Sequence, residues 1–279
     1  MQQAISTILF PESYFFGGAT QGLQGDPMRQ ILMGATVGLA VPAARPIRIL
    51  EIGSWIGFSA LTWAQAIERF VPHKGTLLCV DPWTSYFTDE DVRQADVYRH
   101  MDYMGRTGLA YDLFCHNIRF APKGVQIDHI RGLSHNILPH LRKEGFDIIY
   151  IDGSHYYDDV LKDLRLADEL LTEGGIMCGD DLELQLAECD RELTERNGSA
   201  DCIADPATGR DYHPGVTLAV GEYFGSVSAL RGYWHMRKTA TGYEAVSFEG
   251  ASMFVPEHFP DTYKRPFEAI LNRWPSFWK

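Results

Sequence analysis

The chain has 279 residues, 45% of them hydrophobic and 22% charged, with a formal net charge of −12. That composition suits one large globular domain whose core needs no disulfide or metal to hold it together. The acidic balance argues against a general nucleic-acid binder, which needs a basic face to displace counterions.

Residues 1–46 precede the first clear strand. They have no basic n-region and no long apolar core, so no signal peptide is expected. Aromatics (Tyr14, Phe15, Phe16) and a Gly-rich patch lead into an apolar run from Met28 to Val41, read as a helix that stops near Pro42. This segment reads as an arm or an active-site cover. From Ile47 the chain alternates. Ile47–Ile52 is a short strand and Phe58–Phe70 has helical spacing. Thr76–Val80, Val125–Ile130, Phe146–Ile151 and Gly175–Cys178 are further strands, with a helix over about Tyr156–Leu171. Short apolar runs separated by helices imply βαβ units and a buried parallel sheet.

Two stretches break the rhythm. Residues 84–118 form an insertion, expected to be partly helical and lid-like, because connections of that length are usually functional. Ser226–Lys238 and Tyr243–Phe248 flank a turn at Thr239–Gly242 and read as an antiparallel edge hairpin. Before them, Gly215–Phe224 reads as a helix, and residues 250–279 as a C-terminal extension. The five cysteines, Cys79, Cys115, Cys178, Cys189 and Cys202, include no CxxC pair. Such spacing suits reduced thiols in the cytoplasm. No run reaches the roughly 18 apolar residues of a membrane span.

In an open α/β sheet, ligands bind outside the carboxyl ends of the strands. Strand one is followed by Glu51, Gly53, Ser54, Gly57 and Ser59. Their spacing, Gly-x-x-x-Gly, is not the dinucleotide fingerprint, and an acid before the turn suits a ligand bearing an ammonium or sulfonium. Strand two ends at Asp81-Pro82-Trp83. The acid can accept two ribose hydroxyls, and the indole can stack on a base, close the pocket or simply pack. Gly132 and Ser134 follow strand three. Asp152 and His155 follow strand four, and Asp180 and Asp181 follow strand five, 180 − 152 = 28 residues later. Three carboxylates converging on adjacent strand ends repel unless a cation neutralises them, and oxygen donors favour Mg2+ or a similar ion. His155 is then placed to take a proton as general base. Its pKa is expected near neutrality, with a helix N-terminus lowering it and the carboxylates raising it. His213, in DYHPGV, is a further candidate to face an acceptor, or else a capping or packing residue. Asp158 and Asp159 read as acids that complement the helix dipole.

The string LEIGSWIGFSAL resembles the first motif of class I S-adenosylmethionine-dependent methyltransferases, and IDGSH with GDD resembles the metal-dependent macrocin O-methyltransferase (TylF-like) family of sugar O-methyltransferases. The likeness covers about residues 46–225. It implies an α/β Rossmann-like fold: a mostly parallel, seven-stranded sheet with an antiparallel edge hairpin and helices on both faces. The methyltransferase domain would be residues 47–249. It implies S-adenosylmethionine held by Glu51, Gly53, Ser54, Gly57, Ser59, Asp81, Trp83, Gly132, Ser134 and Asp152, and Mg2+ held by Asp152, Asp180 and Asp181. His155 would be catalytic, and a small-molecule hydroxyl, of a sugar or natural product, the acceptor. A homo-oligomer without nucleic-acid or membrane partners is expected. The rival readings are a cephalosporin-hydroxylase-like chemistry on the same metal-binding fold, a non-catalytic binding protein, and an NAD-dependent oxidoreductase, the last disfavoured by the glycine spacing. Tyr14, Phe15, Tyr86, Phe87, Tyr98, Trp274 and Trp278 are candidates for a pocket or an oligomer contact.

Overall fold

The computed structural model describes residues 13–16, 26–42 and 44–273, so Trp274 and Trp278 lie outside the described residues. In chain order the elements are α1 (Met28–Leu39), β1 (Ile47–Ile52), α2 (Phe58–Phe70), β2 (Gly75–Asp81), α3 (Asp89–Gln94), α4 (Asp96–Thr107) and α5 (Leu109–Asn117). They continue with β3 (Val125–Arg131), the single turn α6 (Ser134–Ile137), β4 (Phe146–Ile151), α7 (Tyr157–Leu170), β5 (Leu171–Leu182) and α8 (Arg191–Arg196). The chain closes with β6 (Ile203–Ala204), β7 (Asp211–Tyr212), α9 (Pro214–Phe224), β8 (Ser228–Leu230), β9 (Gly232–Thr239), β10 (Gly242–Ala245) and α10 (Asp261–Leu271).

The main sheet runs β10-β9-β5-β4-β1-β2-β3, with β8 paired to β9 off that path. The five central strands are parallel and β9 joins β5 antiparallel. Strand periodicity divides the core in two. Ile47 and Ile49 of β1, with Ile148 and Tyr150 of β4, face α1, α2 and α5. Leu50, Ile52, Ile149 and Ile151 face α7 and α9. Helices therefore cover both faces, as a sheet of doubly apolar strands requires. Among the described residues no helix is long and apolar enough to cross a membrane, and all five cysteines are free.

Three boundaries differ from the sequence reading. The expected first arm of the hairpin splits, because Arg231 (φ 58°) and Gly232 (φ 89°) turn the backbone between β8 and β9. The sheet thus gains an eighth strand beside the seven on its path. Strand β5 runs through Leu182, so Asp180 and Asp181 lie among its last residues instead of beyond it. Antiparallel pairing with β9 extends it that far, although the register shifts between Gly179 and Leu182. The insertion is more ordered than a lid loop: three helices, the first closed by a capping box between Thr88 and Asp91.

The order of visits sets the site. The chain runs outward from β1 to β3, then returns to lay β4 on the other side of β1. The crevice of an open sheet forms at such a reversal. The strand ends are stitched there: Gly53 N–H donates to Val80 O (3.0 Å) and Asp152 N–H to Ile52 O (2.9 Å). Gly53 has φ 83°, and a Cβ there would overlap the Asp152 carbonyl. Gly53→Ala is therefore expected to cost about 3 kcal/mol of folding stability, read as a lower urea midpoint at unchanged m-value.

Candidate active site

A cavity of about 400 Å³ opens at the carboxyl ends of β1, β2, β4 and β5. Its first half is the turn after β1. Asp81 Oδ2 accepts the backbone N–H groups of Ser54 (2.8 Å) and Trp55 (2.9 Å), and Oδ1 accepts that of Trp83. The carboxylate therefore shapes the turn while keeping one lone-pair site free for a ligand hydroxyl. Burial pushes the Asp81 pKa up, and those three backbone donors oppose the rise.

Glu51 lies beneath this turn, fully buried, and does not line the cavity. Its Oε2 accepts from Ser54 Oγ (2.7 Å) and Cys79 Sγ (3.3 Å). Trp83 is likewise fully buried, packing against Phe114 at 4.6 Å and Tyr111 at 5.0 Å, and its Nε1 donates to Trp55 O (2.6 Å). Of the readings open to its indole, packing is the one it adopts. Gly57 and Gly132 also sit off the cavity wall, whereas Gly53, Ser54, Ser59, Asp81, Ser134 and Asp152 line it. Trp55, absent from the sequence-derived set, is a wall residue with φ 43°. No composition or spacing signal separates it from Trp83.

The second half is charged. His155 Nε2 is 3.0 Å from Asp181 Oδ2 and its Nδ1 is 2.9 Å from Asp201 Oδ1. His213 stands at 4.5 Å ring to ring, with Nδ1 3.0 Å from Glu183 Oε2. Tyr86 of the insertion donates to Asp201 (3.2 Å), and Tyr98 hydrogen-bonds the same carboxylate. Asp201 is 1% exposed, and only the tertiary fold brings it here, from the chain between α8 and β6. Its presence upsets the expected cancellation at His155. Burial alone would lower the imidazole pKa, but Asp201 and Asp181 outweigh it and hold the pKa well above the usual value. The same contacts draw Asp201 down to about 2.

The three expected metal ligands are divided between two partners, Tyr150 and Arg29. Asp152 Oδ2 accepts the Tyr150 hydroxyl (3.0 Å). Burial, with Asp180 and Asp181 nearby, pushes its pKa well above the carboxylate range. Asp180 and Asp181 share the Arg29 guanidinium, at 2.8 and 2.7 Å from Nη1. Burial also pushes Asp180 up, to about 7. Asp181 is held well below the carboxylate range by His213, His155 and Arg29, against its own burial. Among the described residues, the group whose ligand atoms all lie within 4.8 Å of one another is His155, Asp181 and His213. The all-oxygen trio therefore does not form a Mg2+ cage as arranged. Arg29, Glu183 and Asp201 escaped the sequence reading because nothing in their local context marks them.

This fold, with an acid-terminated β2 and a glycine turn after β1 at the reversal of strand order, is a Rossmann-like class I arrangement. Residues 50–182 match the sequence model of the family described as "Methyltransferase domain". No curated protein matches the chain. Among solved structures it is similar to the calicheamicin methyltransferase CalS11, at 18% identity over 76% of this chain and 78% of that one, TM-score 0.47. It is similar to the O-methyltransferase TomG from Streptomyces achromogenes, involved in tomaymycin synthesis and solved with its cofactor, at 19% identity over 87% and 92%, TM-score 0.41. A third is an O-methyltransferase from Bacillus cereus, at 16% identity over 87% and 93%, TM-score 0.39. At these values the likenesses carry no argument on activity.

Glu51 supplies a pH test of the turn. Burial raises its pKa to about 7 from a reference of 4.5. Below the unfolded pKa it is protonated in both states. As pH rises toward the folded pKa the unfolded chain releases the proton first, so stability is lost across that window. Relative to Glu51→Gln, the wild type is expected to lose on the order of 3 kcal/mol between pH 4.5 and 7.5, measured by urea unfolding at each pH.

Proposed function

We propose that the chain is an S-adenosylmethionine-dependent O-methyltransferase acting on a hydroxyl of a small polyhydroxylated acceptor, a sugar or a natural product, with His155 as the base. The observation that carries this reading is one cavity shared by a methionine-type turn (Gly53, Ser54, Ser59) and a histidine set between two carboxylates.

Asp81, with one lone-pair site left for a ribose hydroxyl, and Ser134 would hold the cofactor's adenosine end. The carboxylates at the strand ends would favour its positively charged sulfonium. The acceptor enters against the insertion, whose Phe87, Val97, Tyr98 and Met101 line the outer wall. An apolar and aromatic wall with a few convergent polar groups suits a ring bearing hydroxyls. Transfer is an in-line displacement. The acceptor oxygen forms a bond to the methyl carbon, the carbon–sulfur bond breaks, and S-adenosylhomocysteine leaves with that electron pair. The hydroxyl proton goes to His155 Nε2. Asp201, bonded at Nδ1, fixes the ring so that Nε2 faces the reacting groups. In the ligand-free chain Nε2 faces Asp181 and Nδ1 faces Asp201, so before transfer the ring releases its Nε2 proton to solvent, a loss that the arriving sulfonium's positive charge favours, and Nε2 turns from Asp181 to the acceptor hydroxyl. With Asp180 and Asp181 held by Arg29 and Asp152 by Tyr150, the acceptor's orientation and proton fall to the chain's own groups.

The test is transfer of label from methyl-labelled S-adenosylmethionine to a panel of diol-bearing acceptors, beside calorimetry with S-adenosylmethionine and NAD. Binding of the first alone, with label in an acceptor, is expected; NAD binding in its place would overturn the reading. His155→Ala is expected to lower kcat by about 100- to 1000-fold while leaving S-adenosylmethionine affinity unchanged by calorimetry. An unchanged kcat would remove His155 from the chemistry.

A further inference from the structure

Arg29 lies in the first turn of α1, a turn with no acidic residue and no side-chain cap. A cation there opposes the helix dipole, so the helix gives no reason for it. The reason lies in the sheet. The guanidinium side chain is 7% exposed, and all three of its nitrogens are engaged. Nη1 reaches Asp180 Oδ1 (2.8 Å) and Asp181 Oδ1 (2.7 Å), Nη2 reaches Glu183 Oε1 (2.6 Å), and Nε donates to Arg231 O (2.6 Å).

The backbone around it is shaped to admit it. A Cβ at Gly232 would overlap the guanidinium. Asp181 (φ 62°) and Arg231 (φ 58°) adopt left-handed conformations that non-glycine residues rarely take. The β5–β9 register shifts at the same point, between Gly179 and Leu182. A planar fork of donors matches carboxylates better than a point charge does.

We propose that Arg29 is the resident cation of the strand-five carboxylates: it holds the place expected of a Mg2+-type ion, so that a divalent cation can reach Asp180 and Asp181 only by displacing it. Arg29 takes Oδ1 of Asp181 and leaves Oδ2 to His155. It is thus a positioning residue, and it ties α1 to the reacting end of the site. This goes beyond the proposed methyl transfer and does not depend on it, since its test uses ligand-free protein.

Mn2+ and Mg2+ are titrated into the full-length chain and into Arg29→Met and Arg29→Lys, with binding followed by calorimetry and by the Mn2+ electron-spin resonance signal. The wild type is expected to bind neither ion at submillimolar concentration. Arg29→Met is expected to gain one site at least about tenfold tighter, lost again when Asp180→Asn is added. Arg29→Lys should stay close to wild type. A single submillimolar site in the wild type that Asp181→Asn abolishes would overturn the proposal, as would an Arg29→Met chain, folded by circular dichroism, that gains no site. Should Arg29→Met fail to fold, the wild-type titration decides: a submillimolar site lost in Asp181→Asn overturns the proposal, and no site supports it.

Discussion

The structure turns on mutual repulsion among carboxylates gathered at the ends of parallel strands. Asp152, Asp180, Asp181, Glu183 and Asp201 line one cavity. Two like charges about 4 Å apart at an effective dielectric near 20 repel by about 4 kcal/mol, a large fraction of the stability of an ordinary domain. Each acid therefore has a donor or cation against it. Arg29 spans Asp180, Asp181 and Glu183, the imidazoles of His155 and His213 contact Asp181, Asp201 and Glu183, and a phenol donates to Asp152. The N-terminal helix, the β5–β9 bulge and the insertion are all drawn to this point by those contacts.

The other half of the cavity has the opposite character. Asp81 is surrounded by backbone donors and Glu51 by hydroxyl and thiol groups. Both acids shape a turn by hydrogen bonds. One end of the cavity thus builds a rigid rim for a ligand, and the other accumulates charge for chemistry. The insertion joins the two: its α4 and the loop before α3 line the wall, while Tyr86 and Tyr98 reach Asp201.

Much of this was legible in the chain. Apolar runs of four to eight residues marked most of the parallel strands, because strands buried on both faces need no polar alternation; β3 at the sheet edge, where only Val125 is buried, alternates instead. Asp81, Asp152, His155, Asp180 and Asp181 were legible because each directly ends an apolar run or follows one closely, where chain geometry alone puts it at the rim. The splitting of the edge hairpin at Arg231 was not, since two left-handed residues interrupt a run whose composition stays strand-like throughout. Nor were the inward burial of Glu51 and Trp83, whose directions depend on packing against Cys79 and Phe114.

The sequence by itself determined the layered α/β architecture, the strand ends and the residue types standing on them, because periodicity and strand termination are local properties of the chain. The tertiary structure alone decided what those residues touch. Arg29 lies 180 − 29 = 151 residues from Asp180, and Asp201 lies 201 − 155 = 46 residues from His155. Charge pairing over such distances follows from the order in which strands and helices pack, and no local pattern records it.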